Sequence, residues 1–519
     1  MKKIIISIFL LSTLFFSCSD FLDRNSLSEL SNETFWSSEG DATKALVGCY
    51  DALQMEGGIA FVWPGASTCS LRELEFATDN GFFLWIPWVA PDVLTNNTLS
   101  PTSGLVQAAW KASYTGIARC NAVIKNVPLM TEDQISKEKA NQIVCEAKFL
   151  RALYYNHLTS LYRDVPLTLD VLTVATSQVP KSPKAEVVAQ IIKDLKDISG
   201  EDMLPLTTDR GRATRGAALG LLCRVYLYNE MYEEAADAAE QVIKLNEYII
   251  DPNYSTLFTE AGNTSKEILF AVRFKNTDQS QGEGGFLAYN YGYPMEWITP
   301  YKNLANDFYC KDGKSITDSN LYDPDDDSNR DPRLTYSIVT PNSTWNGAWG
   351  KESARDAWWR YNSPSELYVR KYQYGSTDWK PDNQDFYIIR YADILLMRAE
   401  ALANLSQEKT EIMGLIDEVR QRADVKMPKV EDAEGSNLSY EQLLDVIKHE
   451  RRVEFAFEGF RYFDLLRWKG MEDAYAKCRA EGYGGSHIFD SKKGYVWPIS
   501  QTELDNNRAL VQAPEWGGK

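Results

Sequence analysis

The 519-residue chain carries 73 acidic against 55 basic side chains, a formal net charge of −18. A body that acidic repels nucleic acid and anionic lipid headgroups, which excludes both as partners. Its eight cysteines include no C-x-x-C pair, which excludes a zinc ligand set and a disulfide framework.

The chain opens with a short positive region, Met1-Lys2-Lys3, and an apolar run, Ile4 to Phe16, too short to span a bilayer as a lasting helix. Ser17-Cys18-Ser19 follows. The pattern reads as a signal peptide over 1–17, with Cys18 acylated as the new N-terminus. Phe15 stands where a lipobox prefers leucine, and the alternative is an ordinary secreted protein with an incidental cysteine. Residues 18–40 then form a lipidated tether and N-terminal arm, and 41–519 a single domain. No later segment reaches the roughly 18 uninterrupted apolar residues of a membrane helix.

Helical periodicity dominates both ends of the mature chain. Trp110, Tyr114 and Ile117 share one face and read as core. Residues 139–163 set Ile143, Ala147, Leu150, Tyr154 and Leu161 three and four apart, and Pro166 follows the end. Residues 215–245 read as a helical hairpin, with Leu222, Tyr226, Tyr232, Ala235 and Ala239 at the spacing of a tetratricopeptide repeat. Small alanines there let paired helices approach closely. A second hairpin joins 388–403 to 408–423, and a further helix over 440–458 aligns Leu443, Ile447, Val453 and Phe457. The fold class expected is all-α, built from such pairs, with little β structure.

Two stretches break the rhythm. Residues 57–104 and 275–385 are rich in Gly, Pro, Asn, Asp and Trp without a sustained period, and read as long surface excursions of the kind that carry function. Aromatic residues concentrate there: Trp63, Trp85 and Trp88 in the first; Tyr291, Trp297, Trp345, Trp349, Trp358 and Trp359 among those of the second. The C–H face of a pyranose stacks on such rings while amides and carboxylates bond its hydroxyls. The expected sugar site is therefore a shallow cleft of Trp85, Trp88, Tyr291 and Trp297, with Asp79, Asn80 and Asn96 bonding hydroxyls. Trp345, Trp358 and Trp359 are the second choice. Any single ring is more simply explained as an anchor pinning its loop, so the cluster carries the reading.

Several segments then form an ordered set. Glu146-Ala-Lys-Phe-Leu-Arg-Ala-Leu-Tyr-Tyr155, Gly211-Arg212-Ala213-Thr214, Arg390-Tyr-Ala-Asp-Ile-Leu-Leu-Met-Arg-Ala-Glu-Ala401 and Glu450-Arg-Arg-Val-Glu-Phe-Ala-Phe-Glu-Gly459 occur in that order. Phe21-Leu22-Asp23 precedes them, and Arg461-Tyr-Phe-Asp-Leu-Leu-Arg-Trp468 and Trp497-Pro498-Ile499 follow. Together they resemble the SusD/RagB family of Bacteroidetes nutrient-binding lipoproteins over nearly the whole mature chain. Arg163-Asp164 departs from the Gly-rich pair common in that family, and the aromatic loops match no fixed pattern. The resemblance implies a tetratricopeptide-like scaffold, an acylated N-terminus on the outer membrane facing the exterior, and a partnership with a TonB-dependent SusC-like transporter. It implies oligosaccharide ligands, sometimes peptides. A peptide-binding member, or a transporter lid without its own ligand site, would share every framework motif.

The chemistry of an enzyme is not legible. No G-x-S-x-G elbow, H-E-x-x-H helix, Walker loop or G-x-G-x-x-G occurs. With 73 acidic residues some carboxylate pair always has glycosidase spacing, so Glu296 beside Trp297 proves nothing. His157, one of three histidines, lies on the apolar side of its helix and reads as core. Arg452, Glu454, Arg461, Asp464 and Arg467 alternate in sign as an internal ion-pair and capping network would. Asp323, Asp325 and Asp327 open like an EF-hand, but Ser328 replaces its glycine and Leu334 its final glutamate. No cofactor is expected, and a looser structural calcium site at those aspartates is the one metal reading left open.

Overall fold

A computed structural model describes residues 35–60, 70–83, 92–275, 298–343, 363–373 and 383–518. Among them helices carry the architecture, and the strands are short. Helix α1 (Glu39–Asp51) starts where the Ser38 side chain accepts from the Asp41 amide. It packs on α2 (Gly104–Asn126), which packs on α3 (Lys137–Tyr162), and α4 (Lys184–Ile198) follows against α3. The expected hairpin is α5 (Arg215–Tyr228) and α6 (Tyr232–Lys244), opened by Thr214, whose hydroxyl accepts from the Ala217 amide. Ala235, Ala236, Ala238 and Ala239 form its buried small-residue face, as close helix approach requires.

The second hairpin is α7 (Tyr391–Asn404) and α8 (Lys409–Arg420), followed by α9 (Tyr440–Glu454), α10 (Arg461–Arg467) and α11 (Met471–Glu481). Helix α6 packs directly on α7, so the stack of helices continues across the intervening 146 residues as though they were absent. The reason is a staple. Strand β2 (Ile268–Val272) pairs antiparallel with β6 (Phe386–Arg390), Val272 opposite Phe386, which closes the excursion at its base. Four smaller strands lie elsewhere among the described residues: β1 (Gly81–Phe83), β3 (Ile298–Pro300), and the ribbon of β4 (Ile338–Val339) with β5 (Tyr368–Val369).

Three readings of the sequence change here. Residues 388–390 belong to β6 rather than to the following helix, because Ile388 and Ile389 find a buried partner strand in β2. Helix α9 ends at Glu454, and Phe457 sits in a left-handed turn instead of on the helix face. Residues 70–83 are buried throughout rather than lying on the surface. The turn after α9 holds them there. The Glu75 carboxylate accepts from the Phe457 and Gly459 amides at 2.8 and 3.1 Å. Gly459 has φ +87°, and a Cβ at that position would meet the Leu71 carbonyl oxygen at 2.5 Å. Only glycine lets the two segments touch.

Candidate functional site

The strands decide where the aromatic segments leave the body. Strand β1 pairs antiparallel with β3 in the register Gly81 to Pro300 and Phe83 to Ile298. Phe83 is therefore opposite Ile298. Trp85 follows the first by two residues and Trp297 precedes the second by one, so the two aromatic excursions depart from one strand pair. Strand β5 lies beside β3 and pairs with β4, and the segment carrying Trp345, Trp349, Trp358 and Trp359 connects those two strands. Trp63, Trp85, Trp88, Tyr291, Trp297 and that third group lie outside the described residues, as does Cys18.

The polar residues assigned to sugar hydroxyls are placed differently from expectation. Asp79 is fully buried and takes a bidentate contact from Arg461 at 2.8 and 2.9 Å, with Arg452 3.0 Å away. Burial alone would raise its pKa; the Arg452 and Arg461 guanidiniums reverse this and hold the carboxyl well below the usual range. Asn80 accepts from Arg452 Nε at 3.0 Å and donates to Glu75 at 2.6 Å. Asn96, partly exposed, donates to Asp92 and accepts from the Ser486 amide at 2.9 Å. All three spend their hydrogen bonds inside the protein. They hold the base from which the aromatic segments spring, and the assignment of Asp79 and Asn80 to a ligand surface is corrected: a buried, paired group has nothing left to offer a hydroxyl.

The ion-pair reading of the α9 region holds and is larger than the sequence suggested. Glu454 accepts from Arg333 at 3.0 Å, Arg390 at 3.0 Å and Arg422 at 2.9 Å. Glu267 takes Arg390 and Arg422; Glu458 takes Arg390 at 2.7 Å and Lys371 at 2.9 Å; Glu450 takes Arg333 at 2.6 Å and Arg420 at 2.8 Å. Every one of these side chains is buried. Burial opposes the charge of Glu454, but the Arg422, Arg390 and Arg333 guanidiniums outweigh it and keep the carboxyl depressed. A second group joins Arg451 to Asp393 and Asp464 at 2.7 and 2.9 Å, and Arg467 to Glu400. These motifs clamp β2, β6 and the described parts of the second excursion to α9. Arg333, Arg390, Lys371, Glu267 and Glu458 went unnoticed as network members. Their available signal was a lone charge inside an apolar run, as at Arg390 before Tyr-Ala-Asp-Ile-Leu-Leu and Glu458 within Phe-Ala-Phe-Glu-Gly.

His157 is core. Burial lowers its pKa to about 4, and the Phe463 ring lies edge-on to it at 6.2 Å. Asp323 accepts from the Asp325 amide and Asp327 from Thr340, so the aspartate run serves local turns. Among the described residues no cluster of His, Cys, Asp and Glu could hold a metal ion, and no helix is long and apolar enough to cross a membrane.

Comparison with known proteins places this scaffold. Residues 266–516 match the model of the SusD family, and residues 20–227 match a second model described as starch-binding associating with outer membrane. SusD-like protein P2 of Formosa agariphila is 27% identical over 98% of this chain and 99% of its own. A SusD-like protein of Bacteroides ovatus is 25% identical over 90% of this chain and 83% of its own. Among solved structures, a SusD-like carbohydrate binding protein of Bacteroides fragilis superposes with a TM-score of 0.79 at 26% identity, over 92% of this chain and all of that one. A laminarin binding SusD-like protein shares the fold with a TM-score of 0.71 at 23% identity, over 92% of this chain and 99% of its own. The fold is the helical SusD-like fold. The chain belongs to the SusD/RagB family of SusD-like carbohydrate-binding proteins.

Proposed function

We propose that this protein is a lipid-anchored glycan-binding protein of the outer surface, acylated at Cys18, which captures oligosaccharide and delivers it to a partner TonB-dependent transporter without catalysing a reaction. One observation carries the binding site: the pairing of Phe83 with Ile298, which starts both aromatic excursions from the same two strands. Large amphipathic rings in irregular segments are costly to expose unless a ligand covers them. The rings proposed as platforms are Trp85, Trp88, Tyr291 and Trp297. Asp79 and Asn80 fix the strand pair from which those segments depart, and Asn96 ties the neighbouring segment to the 483–487 loop. The starch-binding description of the second matched family, the laminarin binding of one structural relative and the carbohydrate binding of another support a glycan over a peptide.

The test is titration calorimetry of the Trp85→Ala, Trp88→Ala double variant against a glycan panel. Loss of about 1–3 kcal/mol of binding free energy with an unchanged unfolding transition is expected. An unchanged affinity for the cognate glycan moves the site to Trp345, Trp358 and Trp359.

A further inference from the structure

On a chain of net charge −18, four cations line one groove. It has a volume of about 370 Å³ and runs between α1 and the end of β2, with Arg210, Arg212, Arg273 and Lys275 along it. Gly211, at φ +85°, makes this possible: a Cβ there would come within 3.1 Å of the Arg273 Cβ, so the 210–212 turn lies directly on the strand end. Gln54, in the turn after α1, donates to the Arg273 carbonyl at 2.6 Å and fixes the opposite wall.

The charges do not cancel within the groove. Arg212 is held by Glu146 at 2.5 and 2.7 Å, its guanidinium 5.6 Å from the Tyr50 ring. Arg210 pairs with the buried Asp385 at 2.9 Å, and Arg273 acts on the same carboxyl through space without pairing with it. The acid on the rim, Asp51, pairs with Arg119 at 2.7 Å. Among the described residues no carboxylate forms an ion pair with Arg273 or Lys275, and both side chains are exposed. A concave wall concentrates such a surplus, and in an acidic body it is a local reversal of field. Val47, 53% exposed, and Leu53 add an apolar side to the same groove. Forked guanidiniums beside an apolar wall suit an oxyanion carried on a sugar ring.

We propose that this groove binds the anionic group of an acidic oligosaccharide, a uronate carboxylate or a sulfate ester. The inference rests on the glycan-binding reading above and gives it a substrate class.

The experiment is calorimetry with three probes: a galacturonic acid hexasaccharide, a sulfated galactan hexasaccharide and a neutral β-glucan hexasaccharide. Wild type is compared with the Arg273→Gln, Lys275→Gln double variant, at low and at about 0.15 M ionic strength. Wild type binds at least one acidic probe, more weakly at the higher salt; the double variant loses about tenfold in that affinity and leaves any neutral binding unchanged. The acidic probe that binds names the anion. Equal affinity of variant and wild type for an acidic probe, or binding of the neutral probe alone, overturns the groove and leaves the glycan reading standing. Failure of wild type to bind any of the three overturns both.

Discussion

The stacked helical pairs and the seam beside α9 are equally buried, the first packed mainly by small apolar side chains and the second mainly by charge. Between α5, α6 and α7 small side chains do most of the packing, with Ala217, Ala218, Ala235, Ala239 and Ala399 at zero exposure, and a buried ion pair, Arg224 to Asp393 at 2.7 Å, joins α5 to α7. In the seam, Arg333, Arg390 and Arg422 converge on Glu454 from three separate parts of the chain. Regular backbone satisfies its own hydrogen bonds, so small apolar side chains are enough to pack it. The described excursions have irregular backbone, and directional, charge-assisted bonds hold them in a defined place. The two solutions fail differently. An apolar face tolerates adjustment, whereas a buried charge deprived of its partner does not.

Breaking the seam should give the largest effect. Glu454→Ala takes one carboxylate from each of three buried guanidiniums and should cost about 3–5 kcal/mol, read from chemical denaturation. A loss under about 1 kcal/mol would show that water relieves the seam and that the contrast is overstated. Acid should separate the regions next. His157 on α3 has its pKa lowered to about 4 from 6.5, so the unfolded chain takes up the proton first and stability falls as pH drops through that window. The full traverse amounts to on the order of 3 kcal/mol, and His157→Phe should flatten it. Asp79 and Glu454 have depressed carboxyls, so their contributions are present above the ordinary values of 3.8 and 4.5 and are lost only at lower pH. A midpoint-versus-pH series with both proteins resolves the two windows. The smallest expected change is Ala239→Leu in the helical pair, about 1–3 kcal/mol from overpacking, with no change in glycan affinity. An affinity change there would mean that the helix stack and the aromatic edge are coupled.

The helices α3, α5, α6, α7 and α8 were legible to within a few residues, because apolar spacing is a property of ten or fifteen consecutive residues. The same spacing misled at Ile388 and Phe457. Ile388 is strand because its neighbours Tyr387 and Ile389 pair with β2, more than a hundred residues earlier, and Phe457 is turned aside by contacts with Glu75. The candidate site divides the same way. Aromatic enrichment in irregular stretches was visible, while the common departure point of those stretches depended on β1 meeting β3. Asp79 and Asn80 read as ligand groups because their partners, Arg452 and Arg461, stand more than 370 positions away.

What the amino-acid order determined by itself was the set of helical faces, their pairing as hairpins and the family motifs, all of which depend on neighbours within a few turns of chain. Tertiary structure alone decided which charges are paired, which polar residues remain for a ligand, and that Arg210, Arg212, Arg273 and Lys275 share a groove. Apolar packing is non-directional and repeats along a helix; an ion pair joins two named atoms, and nothing in the local sequence states where the second one lies.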